Sequence, residues 1–275
     1  MTNIINGKVI SEEILNSLKE KVKQLNFVPG LAVIVVGNDP ASAIYVRNKE
    51  RACKKVGIKA TTYKLPEETS QEEVINLIHK LNNEKITHSI LVQLPLPKHL
   101  NEREILNEIS PEKDADGFHL LNAGKLLEGE QTILPCTPAG CIELLKSTNI
   151  QLEGKNAVVI GRSNIVGKPL ALLLLKENCT VTLCHSKTNN LKDFTSRADI
   201  IICATGKAKM LTADMIKENS IIIDVGINRD QDGKLVGDVD FENVSKKAKY
   251  ITPVPGGVGP MTIAMLMKNV VSSAV

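Results

Sequence analysis

Val158-Val159-Ile160-Gly161-Arg162-Ser163-Asn164-Ile165-Val166-Gly167-Lys168-Pro169 is the stretch on which the fold turns. An apolar, β-branched run stops at Gly161, passes through polar residues and becomes helix-like in Leu170 to Leu175. A strand, a tight turn and a helix N-terminus read in this way, and the backbone N–H groups of such a turn can hold a phosphate. The spacing departs from Gly-x-Gly-x-x-Gly, which requires glycine at positions held by Ser163 and Val166; the last glycine is Gly167, one place later. On the motif alone, a phosphate turn and an ordinary strand-to-helix connection fit equally well.

Working outward, the second half predicts strands over 156–160, 180–184, 200–203, 220–224 and 249–252, with helices between them. One of those helices is capped by Thr212 and another opened by Asp240. In the first half, Val9, Ile10, Ile14, Leu18, Val22 and Leu25 recur at helical spacing. A strand over 31–36, a helix closed by Gly57, a strand over 58–65, a helix from Ser70 to Leu81 and a strand over 89–94 follow. The alternation predicts an α/β protein with mainly parallel sheets and ligands at the carboxyl ends of the strands. From Pro111 to Pro138 the periodicity fades, which suggests a domain boundary carrying binding loops, with Thr137-Pro138 opening a linking helix through Lys146. The expected domains are 1–138 and a Rossmann-like 139–259, with the last helix, 260–275, returning to the first.

The chain has 275 residues, 43% of them hydrophobic and 24% charged, an ordinary globular balance. A net charge of +3, with Lys and Arg spread along the chain, gives no reason to expect nucleic acid, though an anionic small substrate fits. The amino-terminal Met1-Thr2-Asn3-Ile4-Ile5-Asn6-Gly7 lacks the pattern of a signal peptide, and no apolar run approaches a membrane span, so a cytoplasmic protein is expected. The six cysteines contain no Cys-x-x-Cys pair and the five histidines no ligand spacing, so the cysteines read as small buried hydrophobes and no metal site is expected.

Some 20 residues after a dinucleotide-type glycine turn, an acidic residue would take the ribose hydroxyls. Here that place reads Cys184-His185-Ser186-Lys187-Thr188, with donors and positive charge and no carboxylate. Together with Arg162 this favours NADP over NAD. Ala204-Thr205-Gly206 and Asp224-Val225-Gly226 put small residues where a cofactor would pass closely. In the first half, Tyr45 and Lys49 share a helix face at i and i+4, a spacing that arises often by chance. The same pair serves short-chain dehydrogenases, but there it follows the glycine turn, whereas here it precedes it. Gln93 ends a buried strand before Pro95 and Pro97. Asp116 can accept paired hydrogen bonds from an amidine-like edge, with turn formation as the alternative and Asp114 as its decoy.

Taken together, Ser42 through Ile58, Val92-Gln93-Leu94-Pro95-Leu96-Pro97, Lys113 through Phe118, Gly161 through Pro169 and Pro253 through Thr262 resemble the bifunctional methylenetetrahydrofolate dehydrogenase/methenyltetrahydrofolate cyclohydrolase family, in the family's order and over almost the full length. The resemblance implies two α/β domains flanking a cleft, NADP as cofactor, a folate substrate and a homodimer. It implies NADP-dependent oxidation of 5,10-methylenetetrahydrofolate and hydrolysis of the methenyl product to 10-formyltetrahydrofolate. By similarity Lys49 assists water attack and proton movement, Tyr45 stacks on the folate rings, Gln93 hydrogen-bonds Lys49, and Asp116 holds the pterin edge. Leu94, Pro255, Gly256 and Gly257 complete the implied substrate site. Gly161, Arg162, Ser163, Ile165, Val166, Gly167, His185, Ser186, Thr205, Gly206, Gly226 and Ile227 form the implied cofactor site. A lysine beside a bound cation is pushed toward the neutral form that accepts a proton. The alternatives are a dehydrogenase with little cyclohydrolase activity and, on the second half alone, a catalytically silent NADP-sensing module.

Overall fold

The computed structural model describes the backbone of residues 2–38 and 40–275, and the side chains of these except 40–45. In chain order the elements are β1 (Asn3–Ile4), α1 (Gly7–Lys23), β2 (Gly30–Val36), α2 (Pro40–Val56), β3 (Lys59–Leu65), α3 (Gln71–Asn83), β4 (Ser89–Val92), α4 (Glu102–Asn107), α5 (Leu120–Leu127) and α6 (Cys136–Lys146). There follow β5 (Asn156–Ile160), α7 (Gly167–Lys176), β6 (Thr180–Cys184), α8 (Leu191–Thr195), β7 (Ile200–Cys203), β8 (Ile221–Asp224), β9 (Asn228–Arg229), β10 (Leu235–Val236), α9 (Phe241–Val244), β11 (Tyr250–Ile251) and α10 (Val258–Ser273). The chain divides into two compact units, one of residues 12–136 with 263–275, the other of residues 1–11 with 137–262.

In the 12–136 unit a parallel three-stranded sheet runs β3-β2-β4. Ala32, Ile34 and Val36 of β2, with Ile90 and Val92 of β4, pack on Val74, Ile78 and Leu81 of α3 and Ile105 of α4. Full burial of each of the Val, Leu and Ile side chains contributes about 1.5–3 kcal/mol. Ser70 caps α3 with a complete capping box: its hydroxyl accepts from the Glu73 amide while the Glu73 carboxylate accepts from the Ser70 amide. Lys113 Nζ closes the other end of that helix by donating to the carbonyls of Leu81, Asn82 and Glu84. Because the chain goes from β2 to β3 on one side and to β4 on the other, the carboxyl ends of β2 and β4 form the switch point where α/β sheets gather ligands.

The second unit carries a six-stranded parallel sheet in the order β1-β11-β8-β7-β5-β6. Its central strands β7, Ile200 to Cys203, and β8, Ile221 to Asp224, each open on three isoleucines and are buried on both faces, as parallel strands covered by helices must be. Here the switch point falls between β5 and β7, at Gly161 and Ala204.

Several expectations are corrected. The stretch 111–138 is not loop throughout: α5 occupies Leu120–Leu127, and a single 3-10 turn spans Pro111–Lys113. The linking helix begins at Cys136, so Thr137 lies inside it and is not its cap; its hydroxyl pairs with that of Thr262. Thr212 precedes only a 3-10 turn, Ala213–Met215, and donates to the Asp214 side chain instead of receiving a capping bond. Asp240 precedes α9 without a side-chain capping bond. Residues 1–11 group with 137–262 because β1 adds to the edge of the large sheet beside β11. The six cysteines are free and buried. Among the described residues no helix is long and apolar enough to cross a membrane, and no group of three or more His, Cys, Asp or Glu could hold a metal ion.

Candidate functional site

In the 12–136 unit, α2 carries Lys49 toward the end of β4. Only 9% of Lys49 is exposed, and its Nζ donates to Gln93 Oε1 at 3.0 Å. Gln93 directly follows β4, and its amide N–H continues the ladder by donating to the Ile34 carbonyl at 2.8 Å. Its side-chain Nε2 donates to the Leu94 carbonyl at 2.7 Å, which fixes the amide so that its oxygen faces the lysine. Tyr45 stands on α2, but its side chain lies outside the described residues.

Asp116 sits in a loop whose shape is set by its neighbours. Asp114 is 2% exposed; its Oδ1 accepts from the Gly117 amide at 3.1 Å and its Oδ2 from the His119 amide at 2.8 Å and from Asn122 Nδ2 at 3.0 Å. Gly117 has φ +74° and lies so close to Leu134 that a Cβ would stand 2.5 Å from that carbonyl carbon, so only glycine fits the turn. The turn-forming role therefore belongs to Asp114, which leaves the Asp116 carboxyl uncommitted to the turn. Removal from water pushes the Asp116 carboxyl above its ordinary value; the Lys49 ammonium opposes the rise and Asp114 adds to it. The three side chains singled out in this half, Lys49, Gln93 and Asp116, thus share one electrostatic neighbourhood.

Two amides that the sequence reading missed support this loop. Asn122 holds Asp114 and the Pro111 carbonyl. Asn269, on α10, donates through Nδ2 to the carbonyls of Ala115 at 2.9 Å and Leu134 at 3.0 Å. Its signal was a lone amide within the apolar run Met261 to Val271, where an unpaired polar group would be costly.

In the second unit a cavity of about 390 Å³ opens at the ends of β5, β6 and β7. Gly161, Arg162, His185, Ser186 and Thr205, all expected there, line it with Thr188 of the stretch read as favouring NADP, and so does Lys207, which was not expected. Among the described residues no carboxylate lines it. The His185 Nδ1 accepts from the Lys187 amide at 3.1 Å, so the ring proton sits on Nε2. Ser163, Ile165, Val166, Gly167, Gly206, Gly226 and Ile227 are not part of the cavity wall.

Three of these residues, Ser163, Val166 and Gly167, build the turn from behind. The Ser163 hydroxyl accepts from the amides of Val166 at 3.2 Å and Gly167 at 3.3 Å, the work of an N-cap. That extra hydroxyl anchor accounts for a loop one residue longer than Gly-x-Gly-x-x-Gly. A Cβ on Gly161 would stand 2.2 Å from the Ala204 carbonyl oxygen, and one on Gly167 2.0 Å from the Gly161 oxygen. Both glycines are therefore required by close backbone approach. Ile165 and Ile227 are exposed. Pro255, Gly256 and Gly257 belong to this unit also; Gly256 has φ +106° and its carbonyl accepts from the Lys8 amide at 3.1 Å.

Residues 5–116 match the family description "Tetrahydrofolate dehydrogenase/cyclohydrolase, catalytic domain", and residues 135–275 match its "NAD(P)-binding domain". The chain belongs to the tetrahydrofolate dehydrogenase/cyclohydrolase family. It is 54% identical over 277 residues to the bifunctional protein FolD of Oceanobacillus iheyensis, covering 100% of this chain and 97% of that one. The crystal structure of the bifunctional FolD methylenetetrahydrofolate dehydrogenase/cyclohydrolase of Campylobacter jejuni superposes with a TM-score of 0.98 at 52% identity, covering 100% and 99% of the two chains. The Trypanosoma brucei dehydrogenase-cyclohydrolase, crystallised with NADP and an inhibitor, gives 0.94 at 38% identity over 99% and 97%. Family membership covers both units, so the Lys49 neighbourhood falls in the family's catalytic domain and the Gly161 cavity in its NAD(P)-binding domain.

Proposed function

We propose that the protein oxidises 5,10-methylenetetrahydrofolate with NADP and hydrolyses the methenyl product to 10-formyltetrahydrofolate, with Lys49 as the catalytic group of the hydrolytic step. The observation that carries this reading is the 3.0 Å Lys49–Gln93 contact beside Asp116, in a chain similar over its whole length to bifunctional relatives. Addition of water to a methenyl cation releases one proton. A neutral lysine amine can accept it, and a cation brought next to that amine favours the neutral form. Gln93 uses its oxygen to fix the position of Nζ, and its own amide is locked by Leu94. Asp116, freed from the turn by Asp114, offers two acceptor oxygens to the amidine-like edge of a pterin. Tyr45, four residues before Lys49 on α2, is proposed to stack on the ring, and Pro255, Gly256 and Gly257 are proposed as substrate-binding residues.

The residues around the Gly161 cavity fit NADP. Glycine at 161 and 167 lets the turn's backbone pack against Ala204 and Gly161 without a Cβ clash, while Arg162, His185, Ser186, Thr188 and Lys207 supply charge and donors suited to a 2'-phosphate. When bound, NADP supplies the hydride acceptor. The chain's part in that half is alignment, and no acid or base of its own is needed. A cytoplasmic homodimer completes the proposal; sedimentation of the purified protein tests the dimer.

Purified protein given methylenetetrahydrofolate and NADP should form NADPH and 10-formyltetrahydrofolate together. Accumulation of the methenyl compound would select a monofunctional dehydrogenase. Catalytic efficiency with NAD equal to or above that with NADP would overturn the cofactor assignment.

A further inference from the structure

We propose that Asp238 is a positioning residue for cofactor binding, acting through the Thr205–Gly206 turn; the proposal rests on reading the Gly161 cavity as the NADP site. Asp238 is fully buried and is not part of the cavity wall. Its carboxylate reaches back to the turn that follows β7. Oδ2 accepts from the Thr205 amide at 2.5 Å, the Gly206 amide at 3.0 Å and the Thr205 hydroxyl at 3.0 Å. Oδ1 accepts from Asn228 Nδ2 at 2.8 Å, and Gly226 is packed so closely that a Cβ there would stand 2.2 Å from it. One side chain thereby ties the turn after β7 to the segment after β8.

The link to the cofactor runs through one residue. Thr205 lines the cavity with Gly161 and His185, and the carbonyl of its predecessor, Ala204, is pressed against Gly161. A shift of the Thr205 turn therefore moves one wall of the cavity and the contact that shapes the phosphate turn. Every group hydrogen-bonded to the Asp238 oxygens is a donor. An ionised carboxylate accepts on both oxygens, whereas an amide of the same shape accepts on one and turns N–H groups toward donors on the other. The position thus calls for a carboxylate specifically. Asp224 holds Asp238 in turn, its Oδ1 accepting from the Asp238 amide at 2.9 Å and its Oδ2 from the Val239 amide at 3.0 Å.

A merely structural carboxylate would move both activities of the full-length protein alike; a positioning residue for the cofactor separates them. Asp238→Asn is therefore measured for NADP binding by calorimetry, for dehydrogenase KM and kcat, and for hydrolysis of preformed methenyltetrahydrofolate without NADP. The NADP dissociation constant and KM should rise by about tenfold or more, the size of effect expected when a charged acceptor is lost from buried donors. Hydrolysis should fall far less. Should Asp238→Asn fail to fold, Thr205→Val removes the hydroxyl that donates to Asp238 and accepts from the Lys207 amide at 3.3 Å, and should weaken NADP binding in the same direction, with Thr205→Ser restoring it. NADP affinity within twofold of wild type in a folded Asp238→Asn protein, or an equal loss of both activities, overturns the role. If Asp238→Asn does not fold, Thr205→Val binding NADP as wild type does overturns it as well. Wild-type protein that binds no NADP would instead overturn the reading of the cavity, and the proposal with it.

Discussion

Asp224→Asn should flatten the pH dependence of stability between about pH 4 and pH 7. Asp224 ends β8 with 3% exposure, and removal from water raises its carboxyl from 3.8 to about 7, even though the amides of Asp238, Val239 and Gly226 pull the other way. A group whose pKa is higher folded than unfolded binds its proton more tightly in the native state. Its contribution is fully present below the unfolded value and is lost as pH rises through about 7. Three pKa units correspond to about 4 kcal/mol, an order-of-magnitude figure for the most that this one group withdraws across the window. Because Asn can accept on only one oxygen, the variant also loses the bond from Gly226 and Asp238 or the one from Val239, so its absolute stability falls at every pH. The slope is therefore the readout. Urea denaturation of both proteins at intervals from pH 4.5 to 8 gives the difference in unfolding free energy, which should narrow as pH rises. A difference that stays constant across that range would refute the argument that Asp224 is carried into the fold largely protonated.

Gly167→Ala places a methyl 2.0 Å from the Gly161 oxygen, far inside contact distance and against backbone that cannot swing away. NADP binding should weaken at least tenfold while hydrolysis of the methenyl compound persists, and calorimetry with a cofactor-free hydrolysis assay checks both. Arg162→Ala should lower the NADP:NAD efficiency ratio by tenfold or more through KM, because NADP loses a charged partner that NAD never had. Steady-state kinetics with each cofactor decides it.

Much of the architecture is legible because the strands are unbroken β-branched runs such as Ile200-Ile201-Ile202 and Ile221-Ile222-Ile223, and Gly57 and Ser70 mark helix ends by plain backbone chemistry. Helix α5 escapes because its apolar residues do not follow its burial: Leu120, Leu121 and Leu127 are exposed while Asn122 is buried. The strand pairing of Asn3–Ile4 is two residues long and depends on β11, some 250 positions away, so no local pattern could announce it. At the site, Lys49, Gln93 and Asp116 became legible together through family resemblance rather than through spacing. Asp114 and Asp116 are the same residue type in one turn, and only the hydrogen bonds from Gly117, His119 and Asn122 tell scaffold from site. Asp238 was silent and Asn269 signalled only a buried amide without naming its partner, because the groups they hold lie far along the chain.

The most direct test of the central claim is hydrolysis of methenyltetrahydrofolate by Lys49→Met, with folate binding followed alongside. Loss of the proton acceptor should slow hydrolysis by a factor of about 10² to 10⁴ while the variant still binds folate. Hydrolysis at the wild-type rate would contradict the account.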